Sequence, residues 1–380
     1  MSSDGKYTDH NIPSLHNSRE GRRVPVLRDR VGVGRLVTYL MFFVSVFTIL
    51  SCAPAIQYQP PVNDPLILKE NDDQQISILS YNIQTIFGKN DGKVEALLNY
   101  INSEKYDFVL FQELFDESVR DHLTSNIDRK SYKSVVSRID YDSFPENIFQ
   151  DAGLFLISRY PQINLAVIPF DDQVSVSEGA VHMKLNTEIS LSTDFLANKS
   201  VMGSLHLLSD STYLFIFTTH VQALGSRSHK REQYRQIKDF IEYATYAVVK
   251  AGVVSSADNM IVILTGDFNS DAYNDSKFET LQTNLGSPRD LHRELNPSNK
   301  EYSMMVKFFN LYARFDYIFA YDRLGFADFK KVTVESINTT DVKSNQEGSI
   351  SDHMALKASI RFAPHPVEPI HSQSIRRKAK

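Results

Sequence analysis

The sequence predicts an α+β fold, a four-layer α/β/β/α sandwich in which two β-sheets face each other and helices cover their outer faces. Three observations carry this expectation. Short runs of branched and aromatic residues recur along the chain, amphipathic helical stretches lie between them, and several runs end in polar residues suited to metal or phosphate chemistry.

Residues 76–81 (ISILSY) alternate like a strand and finish at Asn82. Residues 94–101 (VEALLNYI) place apolar side chains at helical spacing, and 106–111 (YDFVLF) form a short buried strand that ends at Gln112 and Glu113. Strand, helix, strand is thus the first unit. Residues 152–158 (AGLFLIS), 180–185, 213–218 (YLFIFT) and 260–264 (MIVIL) are further strands, rich in branched and aromatic residues. Between the last two, Tyr234, Ile237, Phe240, Ile241, Ala244 and Val248 recur every three or four residues, which makes 231–249 an amphipathic helix. Residues 316–320, 332–335 and 354–362 supply the final strands.

Length and composition suit one large catalytic domain, expected over 75–363: the chain has 380 residues, of which 42% are hydrophobic and 23% charged. The net charge of −5 is unevenly spread. The polar leader, 1–35, and the tail, 364–380, each carry +3, leaving −11 on residues 36–363. Such an acidic body lacks the basic footprint that non-specific nucleic-acid binding uses for counterion release. Nucleic acid is therefore a disfavoured partner, although a divalent cation would let an acidic nuclease bridge to phosphate.

The single cysteine, Cys52, rules out an intrachain disulfide. It ends an uncharged apolar run, 36–53, preceded by Arg28, Arg30 and Arg35 and followed by a Pro- and Gln-rich spacer, 54–74. Three readings stay open. The run is a lipoprotein signal with Cys52 as the lipid-anchored residue, an uncleaved signal anchor with the catalytic body outside, or a buried core helix. The first two make the protein exported or membrane-associated, with the membrane as a partner through 36–53.

Cleaving a phosphodiester needs an attacking water, charge relief on the phosphate oxygens and help for the leaving alkoxide. Glu113, at the end of its strand, is a hard oxygen ligand suited to Mg²⁺, with Asn82 as a second ligand; Mn²⁺ is a possible substitute. Asp267 and Asn269 follow an apolar run and Gly266, and in an extended segment alternate side chains face one way. A carboxylate beside an amide suits a water-orienting base next to a phosphate donor; as isolated residues, both would read as turn formers. His220 and His353 are candidates to hold phosphate or move a proton, with Asp316 as the partner of His353 and Asp352 directed to metal or its water. The other nine histidines lie in the tails or lack a comparable strand-end context.

Taken in order, Tyr81-Asn82, Gln112-Glu113, Thr219-His220, GDFN at 266–269, RFDYI at 314–318 and SDH at 351–353 resemble the endonuclease/exonuclease/phosphatase superfamily, whose fold is deoxyribonuclease-I-like. Residues 153–163 (GLFLISRYPQI) are similar to a further strand of that family. The resemblance implies Glu113 as Mg²⁺ ligand with Asn82 nearby, Asp267 and Asn269 at nucleophile and phosphate, both histidines on the phosphate, and Asp316 orienting His353. Within the superfamily, QELFD at 112–116, THVQA at 219–223 and the 231–241 helix resemble the neutral sphingomyelinase branch, though Leu114 stands where that branch has Val. The resemblance implies a phospholipase-C-type hydrolysis of a membrane phospholipid or sphingolipid, above all sphingomyelin. A nuclease, an inositol-phosphate phosphatase and a non-catalytic lipid-binding module are the alternatives. Residues 302–312 (YSMMVKFFNLY), aromatic and Met-rich, suit a membrane-contacting hairpin or a piece of core.

Overall fold

In the computed structural model of the protein, the described residues are 74–85, 91–140, 151–188, 197–209, 211–306, 311–344 and 348–362. The leader, the apolar run with Cys52, nearly all of the spacer and the basic tail lie outside them. Among the described residues no helix is long and apolar enough to cross a membrane.

One sheet contains β1 (Gln75–Thr85), β2 (Phe108–Leu114), β3 (Ser134–Val136) and β4 (Phe155–Ser158). The other contains β5 (Ser175–Ser177), β6 (Ala180–Lys184), β7 (Ser200–Ser209), β8 (Thr212–His220), β9 (Met260–Asp267), β10 (Arg289–Asp290) and β11 (Asp316–Tyr321). The chain then returns to the first sheet with β12 (Val332–Thr340) and β13 (Ala355–Phe362), giving the order β12-β13-β1-β2-β4-β3. The second sheet runs β10-β11-β9-β8-β7-β6-β5. Helices α1 (Asp91–Glu104) and α2 (Glu117–Asn126) cover the first sheet; α3 (Arg227–Lys250) covers the second, with α4 (Asp275–Asn284) beside it.

Three apolar clusters make the four layers. Alternate residues on each strand point to opposite faces. Ile76, Ile78, Phe108, Leu110, Ile216, Ile261, Ile263 and Ile318 therefore meet between the sheets, whereas Val109 and Phe111 face α1 and α2, and Phe217, Leu264 and Phe319 face α3. Strands buried on both faces read as nearly continuous apolar runs, which is how they appear in the sequence.

The inner rows do not stay apolar to the end. After Ile76 and Ile78 come Ser80 and Asn82; after Leu110 comes Gln112; after Ile216 come Thr218 and His220; after Ile263 come Thr265 and Asp267. β1 and β2 run parallel, as do β8 and β9, so these carboxyl ends share one edge of the sandwich. Antiparallel β11 brings its start, Asp316, opposite Asp267. The polar rows tie the sheets together where Gln112 Nε2 donates to Ser80 Oγ at 3.3 Å and to Thr218 Oγ1 at 3.0 Å.

Away from that edge, β7 carries the fully buried His206, whose Nε2 lies 2.9 Å from Ser204 Oγ and whose ring meets Phe108 edge-on. Burial pushes its pKa down from 6.5 to about 4, with the carbonyls of Tyr160 and Pro161 opposing the shift only in part. The unfolded chain takes up this proton below pH 6.5, while the fold resists it until about 4. The neutral imidazole thus contributes stability above pH 6.5 that is lost as pH falls toward 4, a loss on the order of 3 kcal/mol. Thermal midpoints at pH 7 and 4.5 should therefore differ less in His206→Gln than in the parent; an unchanged difference would refute this account.

Candidate active site

Asn82 sits at the centre of the polar edge. Its Nδ2 donates to Glu113 Oε1 at 2.9 Å and, across the sandwich, to Asp267 Oδ2 at 3.0 Å. His220 Nε2 lies 3.4 Å from the same Glu113 oxygen and 3.8 Å from Asp267 Oδ2. His353 Nε2 approaches Asp267 from the other side at 3.7 Å, and its Nδ1 is 2.8 Å from Asp316 Oδ2. Glu113, Asn82, Asp267, His220, His353 and Asp316 are thus brought into one cluster.

Local backbone geometry aims these groups. Glu113 and Asn269, each at the end of its strand run, have φ of 56° and 48°, left-handed values uncommon for residues with a Cβ. The segment 266–269 is extended only through Asp267, where β9 ends, and bends at Asn269, which corrects the expectation of an extended stretch: Asn269 N–H donates to Asp267 Oδ1 at 2.8 Å, and Phe268 is buried against Tyr317 and Phe319. Asn269 therefore reaches the site by folding back. Its Nδ2 donates to Val221 O at 2.9 Å and lies 3.5 Å from His220 Nε2. Arg120, 2% exposed, holds the segment after Glu113 by donating to Leu114 O and to Asp151.

Ser351, itself buried, donates to Asn82 O at 2.7 Å and accepts from the His353 N–H at 3.1 Å, tying β1 to the segment that carries His353. Ser303 Oγ accepts from the N–H groups of Phe315 and Asp316, and Ser303 O accepts from Met354 N–H. Asp352 falls outside the tight cluster; its Oδ2 accepts from Gln84 Nε2 at 3.3 Å. Sequence reasoning missed Lys199, which is 1% exposed with Nζ 3.4 Å from His220 Nδ1. A lone Lys before a strand offers no signal that it will be buried beside a histidine 21 residues later.

The electrostatics separate the two histidines. Burial, with Lys199 and His353 adding to it, holds His220 well below 6.5 and hence neutral. For His353 burial acts the same way, but the Asp316 carboxylate overrides it and lifts the pKa to about 10. His353 is thus the imidazolium. Burial also raises Glu113 and pushes Asp267 up to about 7.

Two carboxylates in a shielded site need positive charge to stay ionised together. Ligand atoms of Glu113, His220 and Asp267 all lie within 4.8 Å of one another. The Asn82 amide nitrogen bridges two carboxylates, and a half-turn of that amide would present its oxygen instead. Hard oxygen donors of this kind fit a divalent cation such as Mg²⁺.

A four-layer sandwich with such an edge defines a metal-compatible phosphodiesterase fold. The chain belongs to the Endonuclease/Exonuclease/phosphatase family, whose model matches residues 79–353. Among solved structures it is similar to an endonuclease/exonuclease/phosphatase from Beutenbergia cavernae, with 15% identity, TM-score 0.51, and coverage of 78% of this chain and 73% of that one. D. rerio TDP2 complexed with a single-strand DNA product is similar at 17% identity and TM-score 0.50, over 76% of this chain and 100% of that chain. Sphingomyelinase C from Streptomyces griseocarneus shares 17% identity at TM-score 0.47, over 75% of this chain and 99% of the other. An uncharacterized protein of Dictyostelium discoideum is 26% identical over 195 residues, which is 46% of this chain and only 15% of the relative's own length.

Proposed function

We propose that the protein is a Mg²⁺-dependent phosphodiesterase of phospholipase C type, which hydrolyses sphingomyelin, or a related phosphosphingolipid, to ceramide and a phosphorylated headgroup. The observation that carries this reading is the Asn82-bridged pair Glu113 and Asp267 facing the His353–Asp316 ion pair. Glu113 and Asn82 would hold the cation, with Asp352 contacting it through water; bound Mg²⁺ would neutralise charge on a non-bridging phosphate oxygen. Asp267 orients the attacking water and takes its proton, which ends on the leaving alkoxide. His353, held protonated by Asp316, stabilises the phosphate charge that builds up during attack. His220, with Nδ1 facing the Lys199 ammonium, carries its proton on Nε2 and donates toward the phosphate together with the Asn269 amide.

Supporting a lipid substrate are the neutral-sphingomyelinase-like segments at 112–116 and 219–223 and the position of the hairpin Met304–Val306 with Leu311–Ala313. Met304 bridges directly to His353, and Tyr312 is 43% exposed. The hairpin therefore begins at the site, although residues 307–310 between its strands lie outside those described. We propose further that 36–53 tethers the enzyme, either through acylated Cys52 or as a signal anchor. Intact mass of the mature chain separates these two.

The test is phosphocholine release from sphingomyelin vesicles by the full chain, with Mg²⁺ and with EDTA. Metal-dependent release that disappears in His353→Ala is the expected result. Cleavage of DNA or inositol phosphates without any vesicle activity would move the function to another branch.

A further inference from the structure

The rim of the catalytic edge carries a basic surface on the segment that follows His220. Residues 224–231 (LGSRSHKR) lead from the turn after β8 into α3, and Arg227, Lys230 and Arg231 place three positive charges there with no carboxylate between them. Leu224 is 57% exposed. Arg227 and Arg231 are also exposed, and neither makes an ion pair or a side-chain hydrogen bond among the described residues. Lys230 Nζ donates to the Asn269 carbonyl, and Asn269 Nδ2 donates to Val221 O, so the patch borders the phosphate-binding end of the site directly.

Hydrogen bonds brace this loop. Gln222 Nε2 donates to Glu188 O at 2.7 Å, His229 Nε2 lies 3.0 Å from Gln222 Oε1, and the Ser226 N–H donates to Glu188 Oε2 at 2.8 Å. A lone exposed leucine is ordinary, but an apolar tip with cationic shoulders is the pattern of a membrane interface. The charges also stand at the unfavourable end of a helix: α3 has no acidic residue in its first turn, and cations there oppose the helix dipole. An anionic surface relieves that opposition. The neighbouring carboxylates are already engaged, Glu188 by the Ser226 N–H and Glu232 by Arg235 at 3.6 Å. On the far side of Asp267, the hairpin bridged to His353 through Met304 exposes Tyr312, and exposed Lys300 lies near it, 5.3 Å over the Tyr273 ring. Charge is screened within about 8 Å at physiological ionic strength, so a bilayer meets these local cations and not the acidic body behind them.

We propose that residues 224–231 are a docking surface for anionic phospholipid bilayers, which turns the catalytic edge toward the lipid headgroups. Leu224 enters the boundary between headgroups and acyl chains, while Arg227 and Arg231 engage the phosphates and carboxylates of phosphatidylserine-type lipids, whose geometry the guanidinium fork matches. Lys230 keeps its bond to Asn269, so the docked loop and the phosphate-binding turn move as one piece. The inference rests on the lipid reading of the site and adds to it the kind of bilayer in which the substrate is met.

The experiment attaches an environment-sensitive nitrobenzoxadiazole to Leu224→Cys in the full chain carrying Cys52→Ser. The labelled chain is mixed, in EDTA, with vesicles of phosphatidylcholine alone or with about 30 mol% phosphatidylserine. The probe reports the surroundings of the loop alone, so attachment through 36–53 does not mimic its signal. Blue-shifted, brighter emission on the anionic vesicles, absent on phosphatidylcholine and reversed by high salt, is expected. The docking constant read from that emission should fall about fivefold in Arg227→Gln or Arg231→Gln and roughly 25-fold in the double variant. Both arginines are exposed, and unchanged thermal midpoints verify that the variants fold. No emission change on anionic vesicles, an equal change on both lipids, or parental docking by the folded double variant overturns the proposal. Docking by a chain that cleaves no sphingomyelin supports this surface and counts against the substrate assignment alone.

Discussion

Asp267→Asn is expected to lower kcat for phosphodiester cleavage by about 10²- to 10⁴-fold, the range a general base contributes, while raising the thermal midpoint of the metal-free protein. The two effects share one cause. Asp267 is 1% exposed, and burial pushes its pKa up to about 7, so its charged form is disfavoured by the fold that holds it. An amide keeps the shape and still accepts from the Asn269 N–H, but it carries no charge into the interior and takes no proton from water. Steady-state kinetics and calorimetry on the same preparation check both parts. Undiminished turnover would remove Asp267 from the reaction; a lowered midpoint would mean that its bond from Asn82 outweighs the burial cost.

Gly266→Ala is expected to destabilise the protein by roughly 3 kcal/mol or more and to abolish activity with it. Gly266 has φ 133°, and a Cβ there would sit 2.0 Å from the carbonyl oxygen of Thr219. The Cβ is fixed by the backbone and the Thr219 atoms it meets are backbone oxygen, nitrogen and carbon, so no rotamer change relieves the clash. The strands that must part are β8 and β9, paired at Gly266 with Thr219 and at Asp267 with His220. Losing that register separates His220 from Asp267 even in molecules that remain folded. Urea unfolding should show a lowered midpoint, and wild-type stability in Gly266→Ala would mean that the close approach is not a property of the protein.

The membership of the site was legible because it depends on local pattern. Asn82, Glu113, His220 and Asp267 each follow an apolar strand run and Asp316 precedes one, and a strand's two-residue period tells which face they share. Other features escaped for a physical reason. Strand β7 has no counterpart in the sequence reading because its inner face carries Ser200, Ser204 and His206, polar groups satisfied by one another and by distant partners, Ser200 by Asp140 and His206 by the Tyr160 carbonyl. His182 lacked a strand-end context in the sequence, yet it pairs with an aspartate 42 positions upstream. Asn269 departs from the expected extended stretch because a left-handed backbone is chosen by its surroundings as well as by residue type.

By itself the sequence determined the layers, the strands whose ends hold chemistry, and the residue types available there, since periodicity and composition are properties of neighbours along the chain. Tertiary structure alone decided which groups share protons. The Asn82–Asp267 bond spans 185 positions, the His353–Asp316 pair makes one histidine a cation, and buried Lys199 helps keep the other neutral. Charge states follow from distance and burial in three dimensions, and neither is a function of spacing along the chain.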